Sequence, residues 1–175
     1  MSKKQKHLFR IIFTSILIAL NIVLERFLAY SVWNQSISFS FVPVAFAAAF
    51  FGAPYAVAVG ALGDILGAIL FPIGPYFPGF TFTNTLTALC TALFIYKNAT
   101  ILKISISVII NKIIGSLVLN TIWISLLYRG GINAFGAVFI TRLPQAGIMT
   151  VIEILTLTFL FSNKRKIRTS LKNML

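Results

Sequence analysis

The chain contains three acidic residues in all, Glu25, Asp64 and Glu153, and each stands inside an apolar run. Arg26 and Lys112 do the same, and Arg142 heads another such run. A charge at the centre of a bilayer costs about 2.5–3.5 kcal/mol on insertion scales, so each of these groups needs a partner, a route to the surface or a ligand. Lys112 and Glu153 fall at similar depth on consecutive antiparallel helices, where an ion pair is the simplest outcome; Asp64 shares that depth and competes for Lys112. Glu25 and Arg26 are adjacent in sequence, so on a helix they point in different directions and do not satisfy each other. Arg26 stands where an outward-facing pocket would open. A guanidinium fork there suits a carboxylate, the alternative being a snorkelling interfacial charge.

The second concentration of chemistry is the stretch LFPIGPYFPGFTFTNTL, residues 70–86. Pro72, Pro75 and Pro78 break an otherwise continuous apolar pattern, because each removes a backbone donor and restricts its predecessor. Irregular backbone at membrane depth is tolerated where it is shielded by protein or lines a cavity. Tyr76, Phe77, Phe80 and Phe82 supply flat faces, and Thr81, Thr83, Asn84 and Thr85 supply polar groups at the head of the following helix. Asn120 and Trp123, three apart near the outer end of a later helix, share a face and could line the same cavity. Together Arg26, Asp64, Tyr76, Phe80, Phe82, Asn84, Asn120 and Trp123 form a candidate substrate-binding set for a flat molecule: rings for stacking, Asp64 and Asn84 for a donor–acceptor edge, Arg26 for an anionic group. The competing reading of the rings is lipid-facing packing or an interfacial belt.

The elements that must position these residues are membrane spans. The chain is 58% hydrophobic and 10% charged, with mean hydropathy +0.95, against about 25% charged residues in ordinary soluble domains. Runs such as ILIALNIVL lack the period-two alternation of a barrel strand. The expected fold class is an all-α integral membrane protein, one domain over residues 1–175, with six transmembrane helices at about 8–28, 39–51, 55–70, 81–96, 101–127 and 143–161. Pro144 then falls near the first turn of the last helix, where proline is tolerated. Lys3, Lys4, Lys6 and Arg10 cluster at one end of the sequence, and Lys164, Arg165, Lys166, Arg168 and Lys172 at the other. With Lys97 and Lys103 they put both termini and the 97–100 loop on the cytoplasmic side of a cell membrane. The loops at 29–38, 71–80 and 128–141 face outward and carry the irregular, aromatic and glycine-rich sequence. No cleavable leader is evident after SKKQKHLFR.

Several function classes are excluded or disfavoured. The net charge of +12 sits in flanking clusters suited to topology and anionic lipid, not to a nucleic acid. Gly131 and Gly136 have part of a phosphate-loop spacing but no Lys-Ser/Thr follows, so the chain does not hydrolyse ATP by that device. No HExxH, GxSxG or Cys/His ligand set occurs, and a metal or cofactor is not expected. Cys90 is alone in an apolar run and His7 lies in the basic segment. An integral membrane enzyme acting on lipid would need an acid/base set near an interface, for which Glu25 with Arg26 is the only material. A self-assembling pore would display a polar stripe along a helix, and none is apparent in the sequence.

The segments LERFL, FGAPYAVAVGALGDILGAILFPIGPYFPGF and LNTIWISLLY resemble the folate-specific S components of energy-coupling factor (ECF) vitamin transporters, over about residues 17–161. The resemblance is carried most specifically by residues 60–80, GALGD followed by FPxGxYFPGF. It implies a six-helix membrane protein that is not an enzyme. Such a protein captures folate from outside and delivers it inward by docking on a transmembrane coupling subunit with two ATPases. It also implies a docking face in the first helix, where the family's Ala-x-x-x-Ala pattern is matched by SILIA, with Ser15 and Ala19 as the small residues. Another flat vitamin or precursor as cargo is the nearest alternative. Folate suits the residues, since it combines a flat pterin, a benzoyl ring and two carboxylates.

Overall fold

A computed structural model describes residues 3–32, 35–74, 76–128, 133 and 135–162. The basic cluster at 164–172 and most of the 129–134 loop lie outside the described residues. The elements run α1 (Lys3–Arg26), a hairpin of β1 (Tyr30–Val32) and β2 (Gln35–Ile37), α2 (Phe41–Phe50), α3 (Ala53–Leu70), α4 (Pro78–Ile95), α5 (Ile101–Ile110), a π-helical segment (Asn111–Leu119), α6 (Asn120–Tyr128) and α7 (Phe135–Ser162). The strands are antiparallel with Tyr30 opposite Ile37. α5, the π segment and α6 continue into one another as a single rod.

Local chemistry sets the breaks. Pro54 and Pro78 occupy the first turns of α3 and α4, where a missing N–H costs nothing and the fixed φ already suits a helix. Gly52 takes φ +97 between α2 and α3, a conformation that glycine adopts without strain. Thr100 caps α5 by accepting from the Lys103 N–H at 3.5 Å. Among the described residues, four helices are long and apolar enough to cross a membrane: Lys4–Arg26, Ala53–Leu70, Ile101–Leu127 and Phe135–Ser162. α2 has 10 residues, about 15 Å of helix, and does not span a hydrocarbon core of about 30 Å by itself. α4 has 18 residues but spends six of them on Thr81, Thr83, Asn84, Thr85, Thr87 and Thr91.

The last helix differs from its expected extent. It begins at Phe135, not 143, and Pro144 sits in its interior. The sequence reading ended the outer loop at 141 because of the glycines and Arg142. In the structure the rings of Phe135 and Phe139 stack at 5.7 Å on successive turns. Arg142 is buried, so the helix carries its charge inward. An interior proline is tolerated in a membrane helix where neighbouring elements re-satisfy the freed carbonyl.

The most extensive packing joins α3 to α4 and to α1, and small residues make it close. A side chain at Gly63 would meet Asn21 of α1, and one at Gly67 would meet the Arg26 guanidinium. The stretch GALGDILG is thus a groove in which polar α1 side chains lie. At the opposite end Ala47, Ala48, Ala56, Val59, Ala88, Ala92 and Ile95 form a fully buried core. There the Tyr55 hydroxyl meets His7 Nδ1 at 3.2 Å, and the Lys97 N–H donates to the Ala49 carbonyl at 3.3 Å. The Lys3–Arg10 segment and the 97–103 segment therefore share this basic end, opposite the hairpin. Large apolar side chains such as Leu93 and Phe159 point outward, as in a protein whose surroundings are lipid.

Candidate functional site

A cavity of about 240 Å³ runs down the inside of the helices, lined from α1, α2, α3, α4, α5, the π segment, α6 and α7. Its upper part lies near the hairpin. Asn21 there donates from Nδ2 to the Ser40 carbonyl at 2.8 Å. Ser38 Oγ accepts the Ser40 N–H at 3.0 Å. These bonds pin the segment after the hairpin over α1, and Glu25, Ser38 and Ser40 join the wall.

α4 presents Thr83, Thr87 and Thr91 to the cavity at four-residue spacing, with Asn84 beside them. Thr83 and Thr91 donate to the carbonyls four residues earlier, at 3.1 and 2.8 Å. Thr83 Oγ1 also accepts from Trp123 Nε1 at 3.0 Å. A polar stripe along a helix therefore exists, contrary to the sequence reading. It was hidden because threonine back-bonds to its own helix and scores as nearly neutral. Opposite, Asn111 donates from Nδ2 to Thr91 Oγ1 at 2.8 Å and to the Thr87 carbonyl at 3.3 Å. Lys112 and Glu153 meet at 2.5 Å and line the wall at middle depth. Higher up, Arg142 donates from Nη2 to Ser116 Oγ at 3.3 Å. The floor, near the basic end, is Ile95, Ile104, Ser107 and Leu157.

Of the residues singled out from sequence, Asn84 and Asn120 line this cavity. Arg26, Asp64 and Tyr76 gather in a separate cluster at the hairpin end. There Arg26 Nη2 lies 3.9 Å from Asp64 Oδ1. Thr81 donates to the other Asp64 oxygen, and the Tyr76 and Thr81 hydroxyls meet at 3.0 Å. Asp64 thus pairs with Arg26, and Lys112 is left to Glu153. Phe80 and Trp123 flank Phe77, with ring centroids at 6.0 and 5.6 Å; this stack joins the head of α4 to α6 behind Thr83. Phe82 is 57% exposed on the outer side of α4. Ser15 and Ala19 are exposed on one face of α1, and the Ser15 hydroxyl is turned back to the Ile11 carbonyl at 3.1 Å.

The sequence reading noted Arg142 only as the start of a helix and Thr83 only among the polar groups at a helix head, and it passed over Ser107, Asn111, Thr87 and Thr91. The signal available was spacing: 83/87/91 on one helix and 107/111 on another place neutral polar groups on single faces. Among the described residues the cavity gathers no cluster of three or more His, Cys, Asp or Glu side chains. It offers hydrogen-bonding side chains along its length, a guanidinium in its upper half and apolar side chains below, which is the makeup of a binding site for one elongated, partly anionic molecule.

Comparison with known proteins follows the same lines. A family model described as ECF transporter, substrate-specific component, matches residues 9–161. The chain is 37% identical over 139 residues to a folate transporter FolT of Clostridium novyi (strain NT), covering 79% of each protein. It is 29% identical over 154 residues to a folate transporter FolT of Leuconostoc mesenteroides subsp. mesenteroides, covering 86% of this chain and 83% of that one. A crystal structure of FolT bound with folic acid matches at TM-score 0.80 and 29% identity, over 93% of this chain and 95% of that one.

Proposed function

The chain belongs to the ECF transporter substrate-specific components, multi-pass membrane proteins that bind cargo and are not enzymes, and from that premise we propose that its cargo is folate. The observation that carries this reading is the cavity itself: the Arg142 guanidinium is buried in a wall of neutral polar side chains that also holds Glu25 and the Lys112–Glu153 pair. The likeness to two folate transporters and to a folic acid complex supports it. A folate carboxylate takes a charge-assisted hydrogen bond from Arg142. Asn84, Asn111 and Asn120 supply donors and acceptors to the neutral rings. Arg26, Asp64, Thr81 and Tyr76 tie the head of α4 to α3 and α1 at the mouth, and the Phe77–Phe80–Trp123 stack keeps that head in place.

The transport reading adds topology and partners. The six helical rods are six crossings, with α2 and α4 short or polar because they face the cavity. Both termini are cytoplasmic; Lys4, Lys6, Arg10, Lys97 and Lys103 at one end support this. The exposed Ser15–Ala19 face of α1 docks on a transmembrane coupling subunit, and two ATPases carried by that subunit supply the energy. Titration of the purified protein with folic acid tests the cargo. Saturable binding at micromolar or lower ligand is expected, together with folate in the mass spectrum of the co-purified small molecule. Retention of a different vitamin while micromolar folic acid fails to bind would refute it.

A further inference from the structure

The rod of α5, the π segment and α6 forms one side of the cavity, and the spacing of its lining residues changes along its length. Ile104, Val108 and Lys112 follow one another at four residues. Across the π segment Asn111 and Ser116 are five apart, and so are Gly115 and Asn120. The outer face changes in step, since the exposed Ile113 and Val118 are also five apart. The backbone agrees. The Asn111 N–H is shared between the Val108 and Ser107 carbonyls, three and four residues back, whereas the Asn120 N–H reaches the Gly115 carbonyl, five back.

Counting turns shows what this does. Asn111 and Asn120 are nine residues apart, about two and a half turns of α-helix. An all-α rod would put them on opposite sides and bring Val118 into line with Asn111. Bonds to the fifth residue place more residues in each turn, so the same stretch makes about two turns, and both asparagines line the cavity.

Contacts with α4 hold this phase. Asn111 Nδ2 donates to Thr91 Oγ1 at 2.8 Å, and Trp123 Nε1 donates to Thr83 Oγ1 at 3.0 Å. Between them Gly115 lies against Thr87, whose methyl a side chain at 115 would overlap. The two donors are twelve residues apart, about 18 Å of α-helix, while their acceptors on α4, eight apart, are separated by about 12 Å. The π segment takes up surplus rotation and surplus length together.

We infer that Asn111–Leu119 is a positioning element of the cavity, carrying two residues more than an α-helix would need. Seven residues of α-helix already make about two turns; the nine present turn Asn120 into the cavity and Trp123 onto Thr83. The inference rests on the folate reading only for its probe.

The test uses the purified full chain in a Cys90→Ser background and a charged, water-borne thiol reagent. Asn120→Cys should react, and saturating folic acid should protect it. Val118→Cys, on the outer face, should react slowly and alike with and without ligand. The reverse pattern overturns the inference. A second arm removes the surplus: deleting Ile113 and Val118 together turns both five-residue spacings into four. Folic acid affinity should then stay within about threefold of wild type, and Asn120→Cys should remain protected in that background. Deleting Ile114 as well leaves the rod one residue short, and affinity should fall by about tenfold or more. A double deletion that fails to fold, or folds without binding folic acid, overturns the inference. Labelling without ligand reads the phase by itself, so a wild-type chain that holds no folic acid refutes the cargo reading while the reactivities at 118 and 120 still decide this one.

Discussion

The Arg26 guanidinium stands 3.9 Å from the Asp64 carboxylate across the α1–α3 seam, with side-chain exposures of 13% and 8%, and it lies over Gly67. Two charges that read from sequence as independent ligand contacts thus share one another. Thr81 ties the pair to the head of α4 and, through Tyr76, to the segment before it. The pair closes one corner of the hairpin end while the cavity wall is built from other side chains.

Removing one member should therefore act first on stability. Asp64→Leu leaves the guanidinium buried without its anion and should cost about 3 kcal/mol, read as a lowered melting temperature in detergent. Arg26→Met combined with Asp64→Leu should recover most of that loss, because neither charge is then stranded. A double variant less stable than Asp64→Leu would contradict this account.

A second expectation follows from the groove. A Cβ at Gly63 would overlap the Asn21 carboxamide, which is held by its bond to the Ser40 carbonyl. Gly63→Ala should cost about 1–3 kcal/mol by leaving that carbonyl unpaired. In an Asn21→Ala background the same substitution meets open space and should cost less than half as much. Additive losses in the two backgrounds, measured by thermal unfolding, would argue against the contact.

The four long apolar helices were legible in the sequence because apolar run length reports directly on membrane helices; α3 and α4 begin at Ala53 and Pro78, earlier than the expected 55 and 81, because Pro54 and Pro78 sit inside their first turns. The early start of α7 was not legible, since Pro144 and Arg142 both read as boundary signals and only packing shows them inside a helix. The site was legible in part. Asn84 and Asn120 line the cavity, but charges and aromatic rings attract attention that neutral threonines and serines do not. Asn111 and Ser107 carry their information only in the four-residue spacing that turns them to one side. Nor could spacing tell which carboxylate Arg26 would meet, because that depends on how closely glycines let α1 approach α3.

The Lys112–Glu153 pair lies within the cavity wall at 2.5 Å. Lys112→Met should destabilise by about 3–5 kcal/mol, because Glu153 would remain buried and uncompensated. The reversed pair, Lys112→Glu with Glu153→Lys, should restore much of the melting temperature. Its folic acid affinity should still differ from wild type, since the cation has moved to the opposite wall. A single Lys112→Met variant as stable as wild type would show the pair to be dispensable.

Arg142 should matter more to ligand than to fold. Arg142→Gln keeps a donor for Ser116 but loses the charge, and folic acid affinity should drop roughly 10–100-fold, about 1.5–3 kcal/mol. Arg142→Lys should fall between, because an ammonium keeps the charge without the planar fork. The ring alone, 6-hydroxymethylpterin, carries no carboxylate and should bind both variants as it binds wild type. If the truncated ligand loses as much as the full one, Arg142 holds the helices and not the carboxylate.

The exposed face of α1 yields an expectation of a different kind. Ser15 and Ala19 are one turn apart and both open to the surroundings, and small residues at that spacing let another helix approach closely. Ala19 is not in the cavity wall, so Ala19→Trp should leave folic acid binding by the purified protein unchanged. Folate uptake by intact cells should fall at least severalfold, because a bulky ring there holds the coupling subunit away. Co-purification of the coupling subunit should fall with it, which separates lost docking from lost expression. Unchanged uptake at matched expression would move the docking face elsewhere. Lost folic acid binding would instead mean that α1 transmits its packing to the cavity through Asn21 and Glu25.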